Sequence, residues 1–322
     1  MIGSEESIDL GLGSVWKAWF AFRKGKHMTD EMHKFQYHLE DQLLELYRDL
    51  NNGTYKHGQY RHFIVCDNKR RKISVSSIRD RVVHRLIYDY IVPLWDKTFI
   101  HDVWSCRKGK GLLGAIERTQ EFLKSYPRAY IWRADIQKFF DNVDQRVLFK
   151  LLKRRVRDRK AMLLIREVLK SYSTHEGGVG IPIGNLTSQV FSNIYLNELD
   201  RLVKHALQPQ AYLRYGDDFI LFEADKKKLE NMKTVTTEFL SDKLKLTLHN
   251  KNNLIVKASH GLKFLGTELW SSGRRLSKRN KTRIASRLNL RNTPSYHGVI
   301  SKHGGEKMGK WLNWQVHEII YP

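Results

Sequence analysis

Two adjacent carboxylates, Asp217 and Asp218, stand between two short apolar runs, one ending at Leu213 and the other formed by Phe219-Ile220-Leu221-Phe222. Such runs read as buried strands, and Gly216 beside Asp217 supplies the tight reversal between them. A chain that folds this Tyr215-Gly216-Asp217-Asp218 hairpin carries two like charges at its tip, where they repel unless a cation lies between them. Oxygen-only ligands suit Mg²⁺, which is usually held by one or two carboxylates together with substrate phosphates. The plainer reading is that Gly-Asp-Asp is turn chemistry alone. What else the chain supplies separates the two.

With 322 residues the chain can bury a sizeable core, and two or three compact units sharing one catalytic cleft are expected. Fifty-seven Lys and Arg against 34 Asp and Glu give a formal charge of +23, which points to a polyanionic partner. Nucleic acid is favoured over an anionic membrane surface, because the basic residues are spread through the chain and not gathered on one amphipathic helix. Cys66 and Cys106 form no Cys-x-x-Cys pair, so neither a zinc ribbon nor a disulfide framework is expected, in keeping with a reducing cytoplasm. The N-terminal stretch lacks the basic-then-apolar pattern of a signal peptide, and no apolar run reaches spanning length. A soluble, cytoplasmic protein without membrane contact is the expectation. The 14 His show no His-Glu-x-x-His spacing and read as surface or hydrogen-bonded residues.

Along the chain, residues 14–50 read as helical from the recurrence of Trp16, Trp19, Phe20, Phe35, Leu39, Leu43, Leu46 and Leu50. A short strand is expected over 60–65, then the basic run Lys69-Arg70-Arg71-Lys72 and a helix over 82–95 that stops around Pro93. Ser105-Cys106-Arg107-Lys108-Gly109-Lys110-Gly111 is a basic, glycine-punctuated loop of the sort that lies against phosphates. After a helix over 112–123, a strand over 130–134 delivers Asp135, a position that suits either a metal ligand or a helix N-cap. One long basic helix is expected over 148–169, followed by a glycine-rich loop that leads into a helix over 186–204. A helix over 226–240, an alternating strand over 244–248 and an apolar hairpin beginning at Gly261 complete the pattern. From Gly273 onward 11 Lys and Arg face only Glu306 and Glu318, with Trp311 and Trp314 expected in the core of a small helical unit.

Asp135 with Phe139-Phe140, the glycine-rich loop into a helix, the Tyr-x-Asp-Asp hairpin and Phe264-Leu265-Gly266 follow the order and spacing that resembles reverse transcriptases, over about residues 60–290. The resemblance implies an α+β right-hand polymerase, with a ferredoxin-like antiparallel palm sheet and a short helical thumb. Its parts would be an N-terminal helical extension (1–55), the first part of the fingers (56–129), a palm (130–272) with a fingers-side helical insertion about 145–180, and a basic helical thumb (273–322). It implies catalytic Asp135, Asp217 and Asp218, which with the Ile136 carbonyl would hold two Mg²⁺ ions, Mn²⁺ being the alternative. Lys69 and Arg71 match the positions that grip the incoming triphosphate. Phe140 stands where RNA polymerases carry an Asp that reads a ribose hydroxyl, and its ring is expected to exclude a 2′-hydroxyl. Ile183, Gly184 and Gln189 would complete the nucleotide site. Arg107, Lys108, Tyr215, Phe264, Leu265 and Gly266 would contact template or primer.

Two departures matter. An aliphatic Ile183 and a terminal Gln189, where most of the family has Gln-Gly-x-x-x-Ser-Pro, look like the enzymes of diversity-generating retroelements, as does Ser295-Tyr296-His297-Gly298. That subgroup implies error-prone copying of a template-repeat RNA into cDNA from a nucleic-acid primer and dNTPs, with a small basic accessory protein as partner. Asn252-Asn253 replaces the usual Lys-Thr, leaving Lys251 to act as general acid towards pyrophosphate. The rival readings are a group II intron-like, retron or phage-defence reverse transcriptase, and a non-catalytic RNA-binding scaffold.

Overall fold

The structure is a computed structural model that describes residues 7–66, 70–303 and 305–321. In chain order the elements are α1 (Leu12–Arg23), α2 (Asp30–Tyr37), α3 (Leu39–Asn52), β1 (Arg61–Cys66), β2 (Arg70–Val75), α4 (Ile78–Trp95), α5 (Leu112–Ser125) and β3 (Tyr130–Asp135). Then come α6 (Phe139–Asn142), α7 (Gln145–Leu152), α8 (Arg159–Lys170), α9 (Leu186–Arg201), β4 (Ala211–Tyr215), β5 (Asp218–Glu223), α10 (Lys226–Leu244) and β6 (Leu254–Lys257). The chain closes with β7 (Leu262–Phe264), β8 (Thr267–Trp270), β9 (Gly273–Leu276), α11 (Lys278–Arg287), α12 (Thr293–His303) and α13 (Gly305–Ile320). By internal packing these residues form two compact units. One runs through Ile100 and takes in Ile136–Leu202 and Thr237–Thr247, and the other holds His101–Asp135, Val203–Thr236 and the residues from Leu248 on.

The first unit is helical around α4. Its inner stripe of Val83, Ile87 and Ile91 is buried, and α4 packs against α1 and α9. Ser77 starts α4 by a reciprocal cap: its hydroxyl accepts from the Asp80 N–H and donates to the Asp80 carboxylate. The antiparallel β1–β2 hairpin, with Arg61 opposite Val75, belongs to the same unit.

The second unit holds a four-stranded sheet of order β4-β5-β3-β6 with every neighbouring pair antiparallel. Strands and helices alternate along the chain as β3, helices, β4, β5, α10 and β6, which is the ferredoxin-like arrangement. Ile131, Leu213, Ile220 and Phe222 face α5 and the β7–β8 hairpin across one apolar core. A smaller core of Leu276, Ile284, Ile300 and Leu312 joins β9 to the three C-terminal helices. No helix among the described residues is long and apolar enough to cross a membrane.

Residues 14–50 are helical as expected, in three pieces, α1, α2 and α3. Several other elements differ from expectation. The single helix over 148–169 is two, because Asp158 accepts a hydrogen bond from the Ala161 N–H and so caps a new start. Pro93 lies inside α4, where its missing N–H falls in the last turn and costs one bond. No strand forms over 244–248; Lys245 takes a left-handed φ of 55° directly after α10 and breaks the extended path. The fourth strand of the sheet is β6 instead. Trp311 packs against the C-terminal core, but Trp314 is 62% exposed and leaves it.

Candidate active site

The three aspartates lie in one unit, at one end of one sheet. Asp135 is the last residue of β3 and pairs with Asp218, the first of β5. Tyr215 pairs with Asp218 across the hairpin, so Gly216 and Asp217 form a two-residue turn. Gly216 has φ 65° and Asp217 does not share the positive sign, the pattern of a type II′ turn, which favours glycine at its first position.

The turn is braced from both sides of Gly216. Its N–H donates to the Ser105 hydroxyl (2.8 Å), and its carbonyl accepts from Nη1 of Arg214 (3.0 Å), a fully buried side chain. The Arg214 backbone is paired in turn: its N–H donates to the Asp102 carbonyl and its carbonyl accepts from the Trp104 N–H, each at 3.0 Å. The loop read as a phosphate cradle thus has a structural half, 102–105, that supports the hairpin. In the other half Arg107 folds back to the Val103 carbonyl (3.3 Å) and Lys108 is exposed.

Each paired carboxylate has a polar neighbour. Asp135 is 7% exposed, and its Oδ2 accepts from Nδ2 of Asn252 at 2.8 Å. Its backbone carbonyl accepts from the His249 N–H at 2.7 Å. Asn253 Oδ1 accepts from the indole N–H of Trp132 (2.7 Å), which stands edge-on to Phe219. The Asn pair that departs from Lys-Thr therefore orients Asp135 and locks a core tryptophan, while Lys251 sits in the exposed turn before it. Arg133 reaches Asp218 Oδ1 at 3.4 Å and the Lys263 carbonyl at 2.6 Å, tying the hairpin to β7.

Among the described residues no three His, Cys, Asp or Glu side chains are gathered as a ready-made metal cage. The donor chemistry nevertheless fits a hard divalent cation: carboxylate oxygens on the neighbouring strands β3 and β5 and in the turn that leads from β4 into β5. Ile136, whose carbonyl completes the expected set, follows Asp135 directly and is 1% exposed.

The residues expected to meet a nucleotide lie in the other unit. Lys69 is outside the described residues; Arg71 is exposed on β2. Phe140 is half-buried in α6, edge-on to Phe139 at 5.3 Å, and its carbonyl accepts from the Ile181 N–H (2.8 Å). Ile183 is half-buried, whereas Gly184 and Gln189 are exposed. Gly184 has φ 114°, and a Cβ there would come within 2.9 Å of Ile73 Cγ2.

Of the remaining expected primer contacts, Tyr215 is half-buried beside the apolar core. The Phe264 expectation does not hold for its side chain: the ring is 1% exposed, part of the core beneath Arg133, because its strand position points inward. Leu265 and Gly266, in the turn with φ 48° and 77°, are the accessible pair. Sequence reasoning missed Ser105, Arg133, Arg214 and the role of Asn252. Arg214 carried a signal, a charge inside an otherwise apolar strand.

Known proteins share this architecture. The chain is 25% identical to Protein YkfC of Escherichia coli (strain K12), over 76% of this chain and 75% of that protein. It is 22% identical to Group II intron-encoded protein LtrA of Lactococcus lactis subsp. cremoris, over 71% of this chain and 50% of the relative. In structure it resembles apo telomerase from Candida tropicalis with a TM-score of 0.51 at 11% identity, covering 69% of this chain and 49% of that one. It therefore spans about half the length of LtrA and of the telomerase chain, and the latter likeness establishes a shared right-hand polymerase fold. Residues 54–269 match the model of the reverse transcriptase (RNA-dependent DNA polymerase) family, and the chain belongs to that family.

Proposed function

We propose that the chain is an RNA-directed DNA polymerase in which Asp135, Asp217 and Asp218 are the catalytic carboxylates. The observation that carries this is the register of Asp135 against Asp218 with Asp217 in the adjoining turn, which brings residues more than eighty positions apart to one end of a sheet. In the vocabulary of the fold, 56–129 would begin the fingers, 130–272 form the palm and 273–322 the thumb. When bound, two divalent cations, taken as Mg²⁺, would activate a primer 3′-hydroxyl and neutralise charge on departing pyrophosphate. The chain's own residues prepare that place. Asn252 fixes the rotation of the Asp135 carboxylate, Arg133 offsets the charge of Asp218, and Ser105 with Arg214 holds the turn that carries Asp217. Arg71 supplies a cation for the triphosphate, and Phe140 offers an apolar wall where a ribose hydroxyl would need a partner.

Within the family, Ile183 and Gln189 and the 295–298 segment support a diversity-generating retroelement enzyme that copies a template-repeat RNA with errors at adenines, with a small basic accessory protein as partner. An aliphatic side chain in place of an amide removes a hydrogen-bond partner worth about 1 kcal/mol, enough to relax selectivity several-fold. The likeness to LtrA favours a second reading, a group II intron-like enzyme.

Primer extension on an RNA template with Mg²⁺ tests both levels. Wild type is expected to extend with dNTPs and Asp217→Ala to lose at least about a thousandfold of that rate. Sequenced products rich in errors opposite adenine support the retroelement reading, and an even error spectrum favours the intron-like one. Extension by neither protein would leave an RNA-binding scaffold.

A further inference from the structure

The glycine-rich loop is fastened at alternate positions to the end of β2, to Ser76 just after it and to α4. The Ile183 carbonyl accepts from the Ser74 N–H at 3.0 Å. Asn185, 4% exposed, uses both ends of its amide: Nδ2 donates to the Ser74 carbonyl (3.1 Å), and Oδ1 accepts from the Ser76 hydroxyl (3.0 Å). The Thr187 hydroxyl lies 2.6 Å from Nδ1 of His84, and both residues are 1% exposed.

The direction of that last bond follows from the partners behind it. Nδ1 of His57 is 2.6 Å from the Gly58 carbonyl, which only accepts, so His57 carries its proton there and accepts at Nε2 when neutral. His84 Nε2, 3.1 Å away, is then a donor, which leaves His84 Nδ1 to accept from Thr187. Burial first, and then the neighbouring His57 ring and the Arg81 guanidinium, push His84 down to about 3, so its ring is neutral at ordinary pH. Asp80 anchors the far end: its carboxylate accepts from the Tyr55 hydroxyl (2.7 Å), the Ser77 hydroxyl (2.7 Å) and the Gly58 N–H (3.2 Å). The Tyr60 hydroxyl lies 3.3 Å from His57 Nε2 and 2.9 Å from the Ser171 hydroxyl.

We propose that Asn185 and Thr187, through Ser74, Ser76 and His84, are positioning residues that make β2 and the glycine-rich loop one body. Arg71 on the strand and Gly184 and Gln189 on the loop then meet an incoming nucleotide as a preset group. This rests on the polymerase reading above. Loosening the fastening lets the nucleotide contacts drift without touching the aspartates, so nucleotide capture suffers and the chemical step does not. The side chains of Asn185, Thr187, Ser76 and His84 are buried, so they are not expected to add a contact of their own to the ligand.

Steady-state dNTP incorporation by the full chain tests the proposal with Thr187→Val, which keeps shape and removes the hydroxyl, and Asn185→Asp, which loses the donor to Ser74. In each, KM for dNTP should rise about five- to tenfold, the scale of one lost hydrogen bond, with kcat within about twofold. Thr187→Ser should restore the wild-type KM. Amide exchange over 183–189 should quicken in Thr187→Val while that of β4 and β5 stays unchanged. Should Thr187→Val fail to fold, Asn185→Asp and Ser76→Ala carry the same comparison. An unmoved KM in the folded variants, or a fall in kcat without a rise in KM, overturns the proposal. Asp217→Ala run alongside separates the two levels. If wild type extends, Asp217→Ala does not, and KM is unmoved in the loop variants, only the fastening is refuted; a wild type without extension refutes the polymerase reading and this one with it.

Discussion

Phe140 is the single side chain proposed to set the sugar preference. Its backbone is held by the Ile181 N–H and its ring by the edge of Phe139, so the ring has a fixed place in α6. Replacing it with alanine removes the wall proposed to exclude a 2′-hydroxyl. Phe140→Ala is expected to lower the dNTP-to-rNTP ratio of kcat/KM by about tenfold or more, and an unchanged ratio would count against the assignment. The acidic residues were legible because few structural roles need two adjacent carboxylates in an apolar hairpin. Asn252-Asn253 was legible only as a departure, since its partners Asp135 and Trp132 lie far away in sequence. Asp80 and His84 were hidden in different ways. Asp80 stands in Arg79-Asp80-Arg81, which reads as a solvated run, yet 80, 84, 87 and 91 share the buried face of α4. Two polar residues on an otherwise apolar stripe are the signal that would have found the network.

At the scale of elements, local order was readable and distant pairing was not. The β4–β5 hairpin announces itself through its turn and flanking hydrophobes. By contrast β6 is four residues long, without strong alternation, and exists because Tyr130 to Arg133 offer it a partner. The expected long helix failed at Asp158 because a cap residue outranks continued periodicity. The brace behind Gly216 could not be read from sequence at all, since loop and hairpin meet only in the fold. It leads to a specific expectation: Ser105→Ala, which leaves the Gly216 N–H without its acceptor, should lower kcat for primer extension about three- to tenfold. Template affinity should stay the same, and filter binding beside the kinetic measurement checks the pair. Equal loss in both would assign Ser105 to general stability.

For the whole molecule, the +23 charge is the property that composition displays most directly. The structure concentrates part of it in the C-terminal helices, where α11 carries Lys278, Arg279, Lys281, Arg283 and Arg287 around a single buried Ile284. If these residues neutralise phosphates, binding of an RNA–DNA hybrid should weaken by at least about tenfold between 50 and 200 mM salt, with a linear log–log plot. Fluorescence anisotropy of a labelled duplex measures it, and a flat response would remove the cationic surface from the account. Time enters through the buttress of the acidic turn. The hairpin can zip within microseconds of its strands meeting, but Ser105 and Gly216 are 111 positions apart. Closing so large a loop is slow and entropically uphill. The sheet carries a like cost, since its pairing of Arg133 with Leu254 spans a longer stretch still. Brace and sheet are therefore expected to close together, and the acidic turn to take its final attitude only with the whole unit.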